Sequence, residues 1–238
     1  MAISTPGDQK QGKVAAGEVY SALRQSILDA EISPGTRINI DAVSRRLGVS
    51  QTPVREALQR LEGDNLLVYS PGRGYSTTPL LNVAELRSLF EFRLLVEPWA
   101  ARSAAVDRLS NPSAALSREL EALEHRMESA GNIRQELVAH DARFHDMILA
   151  SAGNRVVQQA YEQTHCHLHL FRLYPADVEG RITLLEHRDV RDAIAAADPA
   201  AAEEVMRAHI HNSFQRFAHA FDRQPGQLSE VKPGPIAP

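Results

Sequence analysis

The chain has 238 residues, 43% hydrophobic and 24% charged, proportions that exclude wholesale disorder and collagen-like or fibrous classes. No uncharged apolar stretch approaches the roughly 20 residues of a membrane-spanning helix, and Met1 to Gly12 has no apolar run that could act as a secretory signal, so the expected location is the cytoplasm, with no membrane partner. A single cysteine, Cys166, excludes an internal disulfide and any zinc site built on two cysteines of one chain, and the net charge of −4 conceals a division, since residues 13–80 carry eight Lys/Arg against seven Asp/Glu and leave −5 to the rest.

Residues 1–12 are polar and read as a disordered tail, as do the Pro- and Gly-rich residues 223–238. Val19, Leu23 and Ile27 recur at i, i+4, i+8 and predict a helix that stops at Ser33-Pro34-Gly35. A short helix from about Ile40 to Leu47 closes on Gly48. Ser50 then starts a third helix as its N-cap, with Pro53 tolerated in the first turn and Val54, Leu58 and Leu61 on one face until Gly63. Leu66–Ser70 and Tyr75–Thr78 are short β-type runs on either side of Pro71-Gly72-Arg73-Gly74, which spells a hairpin. Helix, helix, turn, helix, hairpin over 13–78 is the order of a winged helix-turn-helix, with Gly48 at the tight turn.

A linker at 79–83 leads into Ala-, Leu- and Glu/Arg-rich sequence over 84–222 with no convincing strand. Six helices are expected there, near 82–107, 113–130, 133–152, 154–174, 178–197 and 199–222, with breaks at Asn111-Pro112, Gly131-Asn132, Gly153-Asn154, Pro175 and Asp198-Pro199. The predicted fold class is therefore mainly α: an N-terminal winged helix-turn-helix followed by an all-α antiparallel bundle of six, or seven, helices.

In the third helix the apolar face turns inward and leaves Gln51, Thr52, Arg55 and Gln59 toward solvent. In a major groove, Gln can address the N6/N7 edge of adenine and Arg the O6/N7 edge of guanine, while the Ser50 and Thr52 hydroxyls hold phosphates. Arg45, Arg46 and Arg60 offer further phosphate contacts, and Arg73, beside Gly72 at the wing tip, is placed for a minor groove. Each residue alone could belong to a solvated face; as a set they point to double-stranded DNA.

All ten histidines lie at or beyond His125. Asp141 and His145, spaced i, i+4, project from one face of a helix. His187 lies eleven residues before Asp198 and His209 ten after Pro199, so in a helical hairpin turning there both stand roughly 15–17 Å from the turn and face each other. One carboxylate and three imidazoles make a site for a divalent first-row metal with positions left open; zinc heads the candidates, with nickel, manganese and iron of the same chemistry. His165 and His169 form a competing i, i+4 pair with His167 on another face, and His125, His140, His211 and His219 read as surface or packing residues.

The stretch Leu47-Gly48-Val49-Ser50-Gln51-Thr52-Pro53-Val54-Arg55-Glu56-Ala57-Leu58-Gln59-Arg60-Leu61-Glu62, with Gly35-Thr36-Arg37 before it, resembles the DNA-binding domain of the GntR family of bacterial transcription regulators. Gln51 and Asp41 depart from that pattern, because the family tends to place DNA-contacting arginines at both positions. The departures imply a different operator sequence, with weaker or more A·T-directed recognition but not loss of binding, and a repulsion of phosphate by Asp41 unless it turns away. The second half resembles the FadR-type C-terminal ligand-binding domain (FCD) through Arg93 with Glu97, Asp141-x-x-Phe144-His145, Asn154, His187 and Met206-x-x-His209. This resemblance implies a metal on Asp141, His145, His187 and His209 at the floor of a cavity, and a small organic acid effector reached by Arg93. Glu97 at i+4 is the alternative, purely structural partner of that arginine.

Together these features predict a homodimeric repressor, not an enzyme, that binds an inverted-repeat operator under the control of a small carboxylate at the metal site. The competing readings are a metal-dependent enzyme with an appended helix-turn-helix module and an effector-independent architectural DNA-binding dimer.

Overall fold

The computed structural model describes residues 6–106, 108, 111–129, 133–173 and 180–222. The chain divides into two compact units between Leu80 and Leu81.

The first unit contains α1 (Pro6–Leu28), α2 (Ile40–Leu47), α3 (Gln51–Gly63), β1 (Leu67–Ser70) and β2 (Gly74–Thr77). Val19, Leu23, Ile27 and Leu28 of α1 are buried together with Val54, Ala57, Leu58 and Leu61 of α3. At this degree of burial, Leu58→Ala would cost about 2–5 kcal/mol in lost transfer energy and cavity. Asn39 caps α2 by accepting from the Ala42 amide at 3.0 Å, and the helix ends on Gly48 at φ 66, a left-handed position that favours glycine. The next helix can therefore start within three residues. The strands pair antiparallel with Tyr69 opposite Tyr75, and Thr77 ties the hairpin to the α1–α2 connection: its hydroxyl donates to the Ser33 carbonyl at 2.7 Å and accepts from the Thr36 amide at 2.9 Å. One correction concerns the N-terminal tail: α1 begins at Pro6, inside the stretch 1–12 that the sequence reads as disordered. Residues 1–5 and the expected tail at 223–238 lie outside the described residues.

The second unit contains α4 (Val83–Ala104), α5 (Ser113–Ser129), α6 (Ile133–Ser151), α7 (Arg155–Glu162), α8 (Cys166–Leu173), α9 (Arg181–Ala195) and α10 (Pro199–Asp222). A capping box starts α4 inside the expected linker: the Asn82 side chain accepts from the Glu85 amide at 3.0 Å and Glu85 accepts from the Asn82 amide at 2.8 Å. Phe90 of α4 meets Phe214 of α10 edge-on at 5.4 Å between ring centres, within a core that also holds Leu86, Leu120, Phe144 and Met206. Asp198 closes the α9–α10 corner by accepting from the Ala200 and Ala201 amides at 3.1 and 3.0 Å. The described residues of this unit form seven helices. The single helix expected over 154–174 is broken at 163–165, where His165 takes a left-handed φ of 45 and the Thr164 hydroxyl accepts from the Cys166 amide. The expected breaks at Gly131-Asn132 and Pro175 fall outside the described residues.

The molecule is thus mainly α, a winged helix-turn-helix followed by a helical bundle.

Candidate metal centre and nucleic-acid interface

Because α3 buries Val54, Ala57, Leu58 and Leu61, its opposite side is forced outward. Gln51, Thr52, Arg55 and Gln59 are all exposed, as are Arg45 on α2, Ser50 ahead of α3, and Gly72 and Arg73 in the hairpin turn. Ser50 occupies the N-cap position of α3 with extended backbone, and its side chain makes no cap hydrogen bond. Gln51 is already engaged. Its amide donates to Asp41 at 2.5 Å and its carbonyl accepts from Arg55 at 3.4 Å, so Asp41, Gln51 and Arg55 form one chain of side chains across the α2–α3 surface. Arg60, considered above as a phosphate contact, is exposed and lies over the Tyr20 ring at 4.0 Å.

In the bundle, α6 supplies Asp141 and His145, α9 supplies His187 and α10 supplies His209. The i, i+4 spacing and the α9–α10 hairpin bring one ligand atom of each within 4.8 Å of the others, and all four residues are buried. Asp141 Oδ1 lies 3.6 Å from His145 Nε2 and 3.5 Å from His187 Nε2. The Nε2 atoms of His187 and His209 are buried and meet no hydrogen-bond partner in the protein. Left unpaired, such atoms cost about 1–3 kcal/mol each. A divalent cation at their point of convergence satisfies both, so the donor set fits a metal of the zinc, nickel, manganese or iron type.

The electrostatics of His187, His209 and Asp141 suit a ligand set, and that of His145 runs the other way. Burial, reinforced by neighbouring imidazoles, pushes the His187 pKa well down, and burial lowers that of His209, so both rings are neutral and keep a lone pair for a ligand bond. Burial opposes ionisation of Asp141, but His167 overcomes it and holds the carboxyl well below its ordinary range. For His145, burial is outweighed by Glu97 and Asp141, which draw its pKa upward.

Each ligand also has its own neighbour on the far side. Asp141 Oδ2 lies 2.6 Å from His167 Nδ1, and His145 Nδ1 lies 2.5 Å from Glu97 Oε2. His209 Nδ1 is 2.8 Å from Glu186, whose carboxylate is gripped by Arg216 at 2.8 and 2.7 Å and by Asn212 at 3.0 Å. His187 Nδ1 is 3.0 Å from His140 Nε2, and His140 Nδ1 is 3.1 Å from Glu119. The sequence reading missed His140 and set His167 on another face of a competing cluster; both are buried against the ligand set. No spacing rule links His140 to His187 across 47 residues. His165 forms the α7–α8 corner, and neither it nor His169 belongs to the group that could hold an ion.

Arg93 is buried on α4 with both of its expected relationships present. Its Nε donates to Glu97 at 2.5 Å, with Nη2 3.4 Å from the second carboxylate oxygen, and Nη2 also lies 3.5 Å from His145 Nε2. Tyr161 donates to the same Glu97 at 2.7 Å. A cation therefore flanks the His145 imidazole, and the Tyr161 hydroxyl shares the carboxylate that Arg93 holds.

Comparison with known proteins agrees with this division. Residues 15–76 match the family described as bacterial regulatory proteins, gntR family, and residues 88–212 match the FCD domain. The chain is 25% identical over 207 residues to YdhC of Bacillus subtilis, an uncharacterized HTH-type transcriptional regulator, covering 86% of this chain and 92% of that protein. It is 27% identical over 197 residues to the HTH-type transcriptional repressor RspR of Escherichia coli, covering 81% and 84%. The fold is shared with a GntR regulator from Rhodococcus sp. RHA1, at a TM-score of 0.67 and 20% identity over 86% of this chain and 98% of that one. It is also shared with E. coli McbR/YncC, at 0.65 and 22% over 88% and 98%. The chain belongs to the GntR family of DNA-binding transcription regulators carrying a C-terminal FCD domain, and is a regulator, not an enzyme.

Proposed function

We propose that this regulator is a homodimeric repressor whose hold on an inverted-repeat operator is set by a small organic acid bound at a divalent-metal centre in the bundle. The observation that carries the reading is the convergence of the unpartnered His187 and His209 Nε2 atoms with Asp141 and His145 beside the Arg93 guanidinium. Asp141, His145, His187 and His209 would hold the ion, zinc first among the candidates, and when bound it supplies a Lewis-acid position for a carboxylate oxygen. Arg93 offers the same carboxylate a charge-assisted donor, in competition with Glu97. Arg93 sits on α4, the helix that starts at Val83 just past the boundary between the units, so re-pairing of this arginine is felt on the element that leads to the DNA-binding unit. An effector can change operator affinity only by favouring one arrangement of the two units over another.

On the DNA side, Arg55, Thr52, Gln59 and Gln51 address the major groove. Arg45 and Ser50 hold phosphates, and Arg73 with Gly72 reaches the flanking minor groove. Two copies on two half-sites make the inverted repeat, and exposed Leu95 and Trp99, one turn apart on α4, support pairing of bundles. Among the described residues no helix is long and apolar enough to cross a membrane, consistent with action on cytoplasmic DNA.

The experiment is to retain fragmented genomic DNA on zinc-loaded protein at fixed salt, sequence it, and titrate the enriched duplex with a panel of small carboxylates. One inverted repeat, released by a carboxylate in wild type but not in Arg93→Ala, is the expected result. Enrichment of a repeat that no carboxylate releases would instead support an effector-independent architectural role.

A further inference from the structure

The three imidazoles of the proposed centre must each present an unprotonated Nε2, and a neutral imidazole does so only when its proton sits on Nδ1. What fixes that tautomer differs among the three. His209 turns Nδ1 toward Glu186, which can only accept, whereas His145 Nδ1 lies 2.5 Å from Glu97 Oε2 as an ion-pair contact without hydrogen-bond geometry. His187 turns Nδ1 toward another imidazole, His140, which can accept or donate according to its own tautomer.

We infer that Glu119 and His140 are positioning residues for the metal: Glu119 fixes the His140 tautomer, which in turn fixes that of His187. The proton positions follow from the partners. The Glu119 carboxylate accepts, so His140 carries its proton on Nδ1 at 3.1 Å; His140 Nε2 is then a bare acceptor, so His187 carries its proton on Nδ1 at 3.0 Å. His187 Nε2 is left as a lone pair among Asp141, His145 and His209, where it is buried without a protein partner. Arg143 clasps Glu119, with Nη2 2.7 Å from one oxygen and Nε 3.0 Å from each, and so holds the carboxylate in place as the acceptor for a neutral His140. The His140 ring is fully buried and 5.8 Å from Phe144, whose own ring stacks on His187 at 3.9 Å, so neither imidazole has room to turn over. A half-exposed arginine on α6 and a glutamate on α5 thereby reach, through one histidine, a ligand on α9.

The inference rests on the metal reading above, and its test separates the two. Glu119→Gln gives His140 a side chain that donates as well as accepts, which opens the inverted chain and places a proton on His187 Nε2, where the ion would sit. His140→Phe keeps a ring of similar shape in the packed site and removes the acceptor. Zinc affinity is measured by competition with a chromophoric chelator, and the His187 tautomer in metal-free protein by long-range nitrogen–proton spectra of histidine-labelled samples. The wild type should show His187 protonated on Nδ1 alone. Glu119→Gln should show a population protonated on Nε2, and both variants should bind zinc roughly 10–100-fold more weakly, the usual scale for loss of an outer partner of a ligand. Wild-type His187 protonated on Nε2, or variants that match the wild type in both tautomer and affinity, would overturn the relay. If the wild type takes up no zinc, the metal reading falls and the positioning role with it, while a wild-type Nδ1–H that Glu119→Gln destabilises still upholds the tautomer relay from Glu119 to His187.

Discussion

Gln51 and Asp41 are bound to each other: the amide of the first residue of α3 donates to the carboxylate near the start of α2 at 2.5 Å. The two positions set apart above by the resemblance thus answer one another. Asp41 turns toward Gln51, which moderates its repulsion of phosphate, and the Gln51 carbonyl faces Arg55. Held in this way, Gln51 keeps one amide N–H and one carbonyl lone pair, in an orientation set by Asp41 and Arg55 and not by a base edge. Wild-type protein should therefore discriminate weakly at the base pair opposite Gln51, and Asp41→Ala should add a preference for adenine there of about 1–3 kcal/mol. Selection from randomised half-sites checks this, and an adenine preference equally strong in wild type would refute it.

Arg55 and Arg45 should fail differently. Loss of a base-reading arginine costs about 1–3 kcal/mol and relaxes one position of the site, whereas loss of a phosphate contact weakens all sequences alike and lowers the salt slope by about 1. Arg55→Ala should follow the first pattern and Arg45→Ala the second. Anisotropy titrations on specific and scrambled duplexes over a salt series distinguish them.

Removal of the metal should be felt in the bundle. An ion at a hundred times its dissociation constant stabilises the folded state by about 2.7 kcal/mol, so a chelator should lower the thermal midpoint of residues 81–222 by several degrees. The winged helix-turn-helix should unfold unchanged. His187→Ala should unfold at one midpoint, the same with and without zinc; calorimetry of both proteins reads the result.

The first unit has an alkaline limit of its own. Burial and a 2.5 Å hydrogen bond to Asp64 push the Tyr20 phenol from 10.0 up to about 12, while Arg60 lies over its ring. A raised folded-state pKa means the protonated form favours folding. The contribution is fully present below about pH 10, declines as the pH rises further and is gone above about 12. Tyr20→Phe should remove this component, so denaturant midpoints of the variant should fall less than those of the wild type between these limits.

Much of the first unit was legible because its signals are local: the apolar period of α3, Gly48 at a left-handed corner, and the Pro-Gly-Arg-Gly turn each act within a few residues. Asp141, His145, His187 and His209 were legible for a related reason, since one pair shares a helix face and the other mirrors a corner marked by Asp198-Pro199. The surroundings of the site were not. His140, His167, Glu119 and Glu186 act through rotamers that cross between helices, and no sequence period encodes which rotamer meets which neighbour. The α7–α8 corner escaped notice because neither Gly nor Pro marks it; His165 carries the positive φ itself.

The tight α9–α10 corner has a consequence for assembly. With Asp198 capping the turn, His187 and His209 approach through a short connection whose closure costs little entropy, while Asp141 and His145 must be brought in across a longer span of chain. Two ligands can be in place as soon as this hairpin zips, and the docking of α6 completes the set. Zinc that binds only once α6 has docked should slow the bundle's unfolding far more than it speeds its folding, which stopped-flow rates with and without the ion would read.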